Sequence, residues 1–179
     1  MQPQLICLIG PECTGKTTLA QALAREMDGP WVPEYLRTFC DARGRTPVPQ
    51  EQAHIMETQY QHEEAALQLA SEQGKAYVFC DTAPLLTAIY SHFIFGDTSL
   101  LAAGRMLHTR YALTLLLETD IVWQADGLQR EGDHVRAPIQ AMLEAELARV
   151  GRPVVRITGT GAARVDAALR AIAAHRFLR

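Results

Sequence analysis

Residues 5–20 read LICLIGPECTGKTTLA, and this stretch decides the fold. Its first five residues are apolar, which is typical of a buried strand. Residues 10–17 then match the pattern G-x-x-x-x-G-K-[ST], and a segment of helical character comes directly after them. Glycines at both ends let successive backbone N–H groups point inward, and the helix N-terminus adds partial positive charge. The stretch therefore predicts a loop that holds polyphosphate oxygens between a strand and a helix.

The individual positions of this phosphate loop have expected roles. Lys16 should reach the terminal phosphates, and Thr17 should coordinate magnesium. The other residues expected to contact the phosphates of ATP are Gly10, Glu12, Cys13, Thr14, Gly15 and Thr18. Lysine occurs only twice among 17 basic residues, so its use here indicates that a compact charge on a slim stem matters. A chance glycine-rich turn is the alternative, and the order of strand, loop and helix disfavours it. We expect ATP and Mg²⁺ as cofactors.

Length and composition limit the possible classes of protein. The chain has 179 residues, of which 48% are hydrophobic and 21% charged, so we expect one folded domain over residues 1–179. The net charge of −3 disfavours nucleic acid as a main partner. No membrane span or signal peptide is recognisable, which favours a cytoplasmic protein. We expect its partner to be a nucleoside-like small-molecule substrate and not a membrane. The four cysteines form no C-x-x-C pair and are expected to be reduced thiols. Oligomeric state stays open.

Short apolar runs alternate along the chain with segments of helical periodicity. The runs predict strands at residues 5–9, 31–32, 76–80, 113–117 and 154–157. Apolar residues recur at helical spacing over residues 53–70, 139–150 and 165–172. This alternation predicts an α/β fold of the three-layer P-loop NTPase type. Its mostly parallel five-stranded sheet would be flanked by helices.

Charged residues come after two of the predicted strands. Because ligands gather at the carboxyl ends of parallel strands, Asp81 is expected to bind Mg²⁺ or accept a proton from the attacking hydroxyl. The alternative role for Asp81 is to cap the next helix. Glu34, Tyr35 and Arg37 come after the second strand and are expected to contact the acceptor. Hydroxyls would suit Glu34, which is the other candidate general base, and a phosphate would suit Arg37. The alternative is a solvated helix start.

Residues 119–136 are rich in Asp, Gly, Gln and Arg and lack apolar periodicity, which predicts a lid. Arg130 and Arg136 are expected to neutralise charge on the transferring phosphoryl group when the lid closes. Trp123 and Asp126 are expected to contact the acceptor, with the indole stacked on its ring. The alternative is a surface loop with solvated charges.

A further turn lies after the last predicted strand. Gly159 and Thr160 lie in this turn, and Arg164 lies in the helix after it. We expect these three residues to surround the adenine ring. An ordinary strand-to-helix turn is the alternative.

Together these features resemble the ribosylnicotinamide kinase domain of NadR-type proteins, which belongs among the P-loop nucleoside and nucleotide kinases and AAA-type ATPases. The resemblance covers nearly the whole chain. Its motifs are residues 10–17, Glu34 with Tyr35, Asp81 with Thr82, Trp123, and Asp126-Gly127-Leu128 with a trailing arginine. The resemblance implies phosphoryl transfer from ATP, with magnesium, to the ribose hydroxyl of nicotinamide riboside. The chain departs from the family at Ala83, where a second acid is common, and at Gln129, which places Arg130 one residue later.

The sequence leaves three functional hypotheses. The first is a kinase that acts on nicotinamide riboside or a related nucleoside. The second is a kinase of the same class with another nucleoside, a nucleotide or a small phosphorylated metabolite as acceptor. The third is a regulatory ATPase that binds a protein partner, which would need loops whose order depends on the terminal phosphate.

Overall fold

A computed structural model of the protein describes residues 2–123 and 132–176. Five strands form one sheet: β1 (Gln4–Ile9), β2 (Trp31–Val32), β3 (Tyr77–Asp81), β4 (Leu113–Leu117) and β5 (Val154–Ile157). Their order is β2-β3-β1-β4-β5, and all four described pairings are parallel. The predicted five-stranded parallel sheet is confirmed. The strand bounds differ from the prediction by one residue at the start of β1 and at both ends of β3.

Seven α-helices lie in the described part of the chain. They are α1 (Lys16–Glu26), α2 (Tyr35–Arg43), α3 (Gln52–Glu72), α4 (Pro84–Phe95), α5 (Leu101–His108), α6 (Arg136–Val150) and α7 (Gly161–Arg176). Short 3₁₀ turns at Pro49–Glu51 and Asp133–Val135 precede α3 and α6. None of the helices in residues 2–123 and 132–176 has both the length and the apolar character that crossing a membrane requires.

The three central strands of the sheet, β1, β3 and β4, are buried on both faces, whereas the edge strand β5 is largely exposed. On β1, Leu5, Cys7 and Ile9 belong to the apolar cluster formed with α3, α4, α5 and α6. Ile6 and Leu8 belong to a second cluster, formed with α1 and α7. Successive residues of a strand point to opposite faces, so a strand covered on both faces reads as a continuous apolar run. The three predicted layers are therefore confirmed, with the sheet in the middle.

The strand order places the phosphate loop between two neighbouring strands. β1 pairs with β3 on one side and with β4 on the other, and ligands of such sheets bind where the strand order reverses. The chain leaves β1 at Gly10 in close contact with the end of β4. A Cβ atom on Gly10 would lie 2.8 Å from the carbonyl oxygen of Leu117. Only glycine fits this approach, because the colliding atom belongs to the backbone.

A buried polar network connects α3 to the start of α2. Glu63 is fully buried and accepts hydrogen bonds of 2.8 and 2.7 Å from the Tyr111 hydroxyl, together with bonds from Arg110 and the Gln59 amide. The oxygen of the same Gln59 amide accepts a 2.8 Å bond from the backbone N–H of Tyr35, the first residue of α2. Burial raises the pKa of Glu63 to about 7, even though these hydrogen bonds favour the charged carboxylate. The network thus fixes the first turn of α2.

The raised pKa of Glu63 predicts a pH-dependent stability. Between the ordinary pKa of 4.5 and the folded value of about 7, the folded protein holds a proton that the unfolded chain releases. The free energy of unfolding should therefore fall by roughly 1–3 kcal/mol through this group as pH rises across that interval. Glu63→Gln should remove this contribution, so the difference in unfolding free energy between wild type and variant should change across this range, as measured by urea unfolding at several pH values. Glu64→Gln is the control, because Glu64 also pairs with Arg110 but is half exposed. Equal slopes in wild type and Glu63→Gln would contradict the prediction.

Candidate functional site

The phosphate loop is held by its own side chains. The Thr14 hydroxyl donates a 2.9 Å hydrogen bond to the carbonyl oxygen of Pro11. The Lys16 ammonium donates to the carbonyls of Gly10 and Pro11, at 3.0 and 2.8 Å. Gly15, immediately before α1, takes a left-handed conformation with φ 80°. The expected order of strand, loop and helix is present, with the loop residues at a helix N-terminus, where anions bind.

Thr17 and Asp81 lie where a magnesium ion could bind. The Thr17 hydroxyl donates a 2.6 Å hydrogen bond to Oδ2 of Asp81. Asp81 is 2% exposed, and its Oδ1 has no hydrogen-bond partner among the described residues. Burial raises the pKa of Asp81, while Lys16, Thr17 and Arg37 act in the opposite direction. A buried carboxylate oxygen without a donor is costly, and Mg²⁺ prefers oxygen ligands of these kinds. Thr17 and Asp81 therefore fit the ion.

The alternative role of Asp81, helix capping, is not observed. Asp81 is the last residue of β3, and the N-cap position of α4 is Ala83, which makes no side-chain hydrogen bond. Between them, Thr82 has a φ of 80°, a conformation that costs a β-branched residue free energy. Its backbone N–H donates a 2.9 Å bond to Leu8, which holds the strained residue against β1. Strain of this kind concentrates at functional sites, and nothing in the sequence indicates it at Thr82.

One cavity of about 600 Å³ joins the phosphate loop to the acceptor residues expected from the sequence. Glu34 and Arg37 line it, together with Lys16 and Thr17 of the loop. Its volume suits a nucleoside-sized ligand. Tyr35 is absent from the wall, since its ring packs edge-on against His54 and His62 on α3. The structure therefore brings Glu34 and Arg37 to the site and directs Tyr35 away from it.

The apolar wall of the cavity comes from residues that the sequence analysis missed. Tyr90, Ile94 and Phe95, in the second half of α4, line the cavity with Val48. Ile94 and Phe95 remain 43% and 37% exposed, although α4 is among the most apolar helices of the chain. A uniformly apolar helix is typical of a core, so the sequence offers no sign that its last turn faces a ligand.

Trp123 occupies a different position from these aromatic residues. Its side chain is half buried and does not line the cavity, and its indole N–H has no partner among the described residues. Stacking of Trp123 on the acceptor stays a prediction. Asp126 and Arg130 lie outside the described residues.

Both described ends of the expected lid rest on the phosphate loop. The backbone N–H of Gly132 donates a 3.0 Å bond to the Glu12 carboxylate. On the other side, the Cys13 thiol contacts the carbonyl oxygen of Val122 at 3.7 Å. The end of the Ile121 side chain would lie 3.2 Å from a Cβ atom on Gly15. Residues 12–15 are thus in contact with the base of the segment at residues 119–136.

The arginines near the lid base are already bonded to protein oxygens. Arg136 is 6% exposed and donates to Asp133 at 3.1 Å and to the Ile121 carbonyl at 2.9 Å. It therefore supports the lid base, and its role in phosphoryl transfer stays a prediction.

Arg164 is 3% exposed, and its guanidinium contacts Gly159, Thr14, Glu118 and Asp120. The expected contact of Arg164 with adenine is corrected, because protein oxygens enclose the guanidinium. For Gly159 and Thr160 the adenine contact stays a prediction.

A parallel sheet of this order, with a phosphate loop after β1 and a buried carboxylate at the end of β3, defines a P-loop kinase fold. The chain matches the AAA domain family AAA_28 over residues 5–164 and belongs to that family. No match was found among curated proteins.

Solved structures share the fold. A structure of the NadR protein in complex with NR (nicotinamide riboside) is 23% identical, with a TM-score of 0.82 over 97% of this chain and 52% of that chain. A structure of NadR in complex with NAD and AMP-PNP is also 23% identical, with a TM-score of 0.79 over 97% of this chain and 50% of that one. Thymidylate kinase from Ehrlichia chaffeensis is 15% identical, with a TM-score of 0.66 over 100% of both chains. The chain thus spans about half the length of the NadR chains. The resemblance to NadR-type proteins is confirmed for the fold.

The loop geometry predicts which of the two lysines matters for nucleotide binding. MgATP at about 100 times its Kd should stabilise the wild type by about 2.7 kcal/mol, through binding to the folded state alone. Lys16→Ala should remove most of this stabilisation while the protein stays folded, as measured by thermal unfolding. Lys75→Ala is the control, because Lys75 pairs with Asp28, away from the phosphate loop. A folded Lys16→Ala protein with an unchanged shift would disprove the phosphate-loop assignment.

Proposed function

We propose that the protein transfers the γ-phosphoryl group of ATP to a hydroxyl of a nucleoside-like small molecule. The observation that carries the proposal is the cavity of about 600 Å³, because phosphate-loop residues and Glu34 line the same space. A kinase requires this adjacency, since its acceptor must lie in line with the transferred phosphoryl group. A regulatory ATPase does not require an acceptor cavity beside its phosphate loop.

The side chains in the site have separate roles in phosphoryl transfer. The loop amides and Lys16 bind the ATP phosphates, and Thr17 and Asp81 would hold Mg²⁺. When bound, the ion neutralises charge on the phosphates. We assign the general base to Glu34, because Asp81 is bonded to Thr17 whereas Glu34 lines the cavity. The acceptor oxygen forms a bond to the γ-phosphorus, the bond from that phosphorus to ADP breaks, and the hydroxyl proton passes to Glu34.

We further propose nicotinamide riboside as the acceptor and nicotinamide mononucleotide as the product, which would place the enzyme in NAD biosynthesis in the cytoplasm. The similarity to NadR in complex with NR supports this choice. So does the presence of two aromatic residues, Tyr90 and Phe95, in the cavity wall, because aromatic side chains suit a flat ring. A cationic pyridinium ring gains more from aromatic faces and a nearby carboxylate than a neutral base does. Glu34 supplies that carboxylate.

A second candidate acceptor is a nucleoside monophosphate. Arg37 lines the cavity, and a guanidinium is well suited to bind a phosphate group. The shared fold with a thymidylate kinase is consistent with such an acceptor. In that case Arg37 would bind the phosphate that the acceptor already carries.

The proposal predicts a preference among acceptors. With MgATP, the purified protein should phosphorylate nicotinamide riboside faster than uridine, adenosine or thymidine monophosphate, as measured by coupled detection of ADP. Phe95→Ala should raise KM for nicotinamide riboside about tenfold, because the ring loses an aromatic contact, with kcat affected less. Trp123→Ala tests the indole in the same assay. Activity with another acceptor and none with nicotinamide riboside would leave only the broader kinase proposal.

The assigned base can be tested in the same assay. Glu34→Gln keeps the shape of the side chain and should lower kcat about a hundredfold, with ATP affinity nearly unchanged. Asp41→Asn, an exposed acid on the neighbouring helix α2, should have no effect. Equal losses of ATP affinity and turnover in Glu34→Gln would contradict its role as base.

A further inference from the structure

Arg164 connects three segments around the phosphate loop. Its guanidinium donates to the Thr14 carbonyl in the loop, to the Gly159 carbonyl in the turn after β5, and to the Asp120 carboxylate after β4. The residue is 3% exposed, although it lies in the first turn of α7. An arginine buried to this extent is costly unless its donors are satisfied. Together with a bond to the Glu118 carbonyl, these contacts reach three backbone carbonyls and one carboxylate, which provides that compensation.

The bond to Thr14 determines the direction of one amide in the loop. In a trans peptide unit the C=O and the next N–H point to opposite sides. With the Thr14 carbonyl held toward Arg164, the N–H of Gly15 faces the other side. Gly15 lines the cavity and Arg164 does not, which is consistent with an N–H directed to the side where phosphate oxygens would bind. A hydrogen bond from a charged donor is about twice as strong as a bond from a neutral donor. The bond from Arg164 therefore stabilises this orientation of the peptide unit between Thr14 and Gly15.

Asp120 completes the arrangement. It accepts from Arg164 and also from the backbone N–H of Gly159, at 2.6 Å. The next residue, Ile121, lies against Gly15. The pair Arg164 and Asp120 therefore contacts the loop both through the bond to Thr14 and through the residue that packs on Gly15.

We propose that Arg164, paired with Asp120, is a positioning residue that preorganises the phosphate loop for polyphosphate, whichever base the nucleotide carries. The inference rests on the nucleotide binding of the proposed function, and it assigns that site a residue outside the loop motif. The positioning role of Arg164 differs from a contact with adenine in one measurable respect. A residue that orients the loop affects every polyphosphate ligand, whereas a residue that touches adenine affects only nucleotides.

The test is a calorimetric titration of Arg164→Met with MgATP and, separately, with inorganic tripolyphosphate and magnesium. Both affinities should fall by a similar factor of about ten or more, as expected for loss of a charged hydrogen bond. Arg164→Lys should recover part of both affinities, since it restores a charged donor. Arg105→Met is the control, because it removes the ion pair with Glu146 between α5 and α6 and should leave both affinities unchanged.

The outcomes separate the two proposals. Wild-type affinities for both ligands in Arg164→Met would overturn the positioning role alone, and so would a loss confined to MgATP. Failure of the wild type to bind either ligand would overturn the proposed function with it. If Arg164→Met does not fold, Asp120→Asn replaces it, because it keeps the bonds of Arg164 to the carbonyls. A smaller loss, equal for the two ligands, would then support the proposal, and no loss would overturn it.

Discussion

The 2.6 Å hydrogen bond between Thr17 and Asp81 links the first helix to the end of the third strand. These residues are far apart in sequence, and they meet because β1 and β3 are parallel neighbours whose carboxyl ends lie at one edge. The contact places a hydroxyl and a buried carboxylate beside the phosphate loop. Both the metal site and the transfer geometry of the proposed kinase depend on that placement.

The surrounding structure offsets the free energy that burial of Asp81 and strain at Thr82 cost. Asp81 is buried and Thr82 is strained, so the neighbouring sheet must stabilise both residues. The bond from Thr82 to Leu8 and the covered faces of the sheet supply that support. On the acceptor side, the Glu63 network fixes the start of α2 through Gln59. Glu34 precedes that helix directly, so the position of the assigned base depends on a core carboxylate.

Much of this structure is predictable from the sequence, for identifiable physical reasons. Strands covered on both faces leave continuous apolar runs, and the loop motif predicts a phosphate-binding turn and a helix directly after β1. The rule that ligands bind at strand ends correctly places Glu34, Arg37 and Asp81 beside the loop. These predictions succeed because they depend on backbone topology alone.

The features that the sequence does not predict depend on the orientation of side chains in the folded protein. Glu63 reads as a surface residue of an amphipathic helix, although Tyr111 and Arg110 bury and bond it. Arg164 reads as a residue free to meet a ligand, although it turns inward to the Thr14 carbonyl. The aromatic residues in the second half of α4 have no periodicity that separates a cavity wall from a core. Each of these outcomes is decided by long-range packing, which local sequence patterns do not encode.

In the proposed function, the phosphate loop and the cavity beside it form one site for direct phosphoryl transfer. Phosphorus NMR of a reaction with MgATP and nicotinamide riboside tests it most directly, because the technique identifies the molecule that receives the γ-phosphate. Direct transfer should give a new phosphomonoester signal that grows as the γ-phosphate signal of ATP declines, with little inorganic phosphate. Release of inorganic phosphate at the same rate with and without any acceptor would contradict it and identify an ATPase instead.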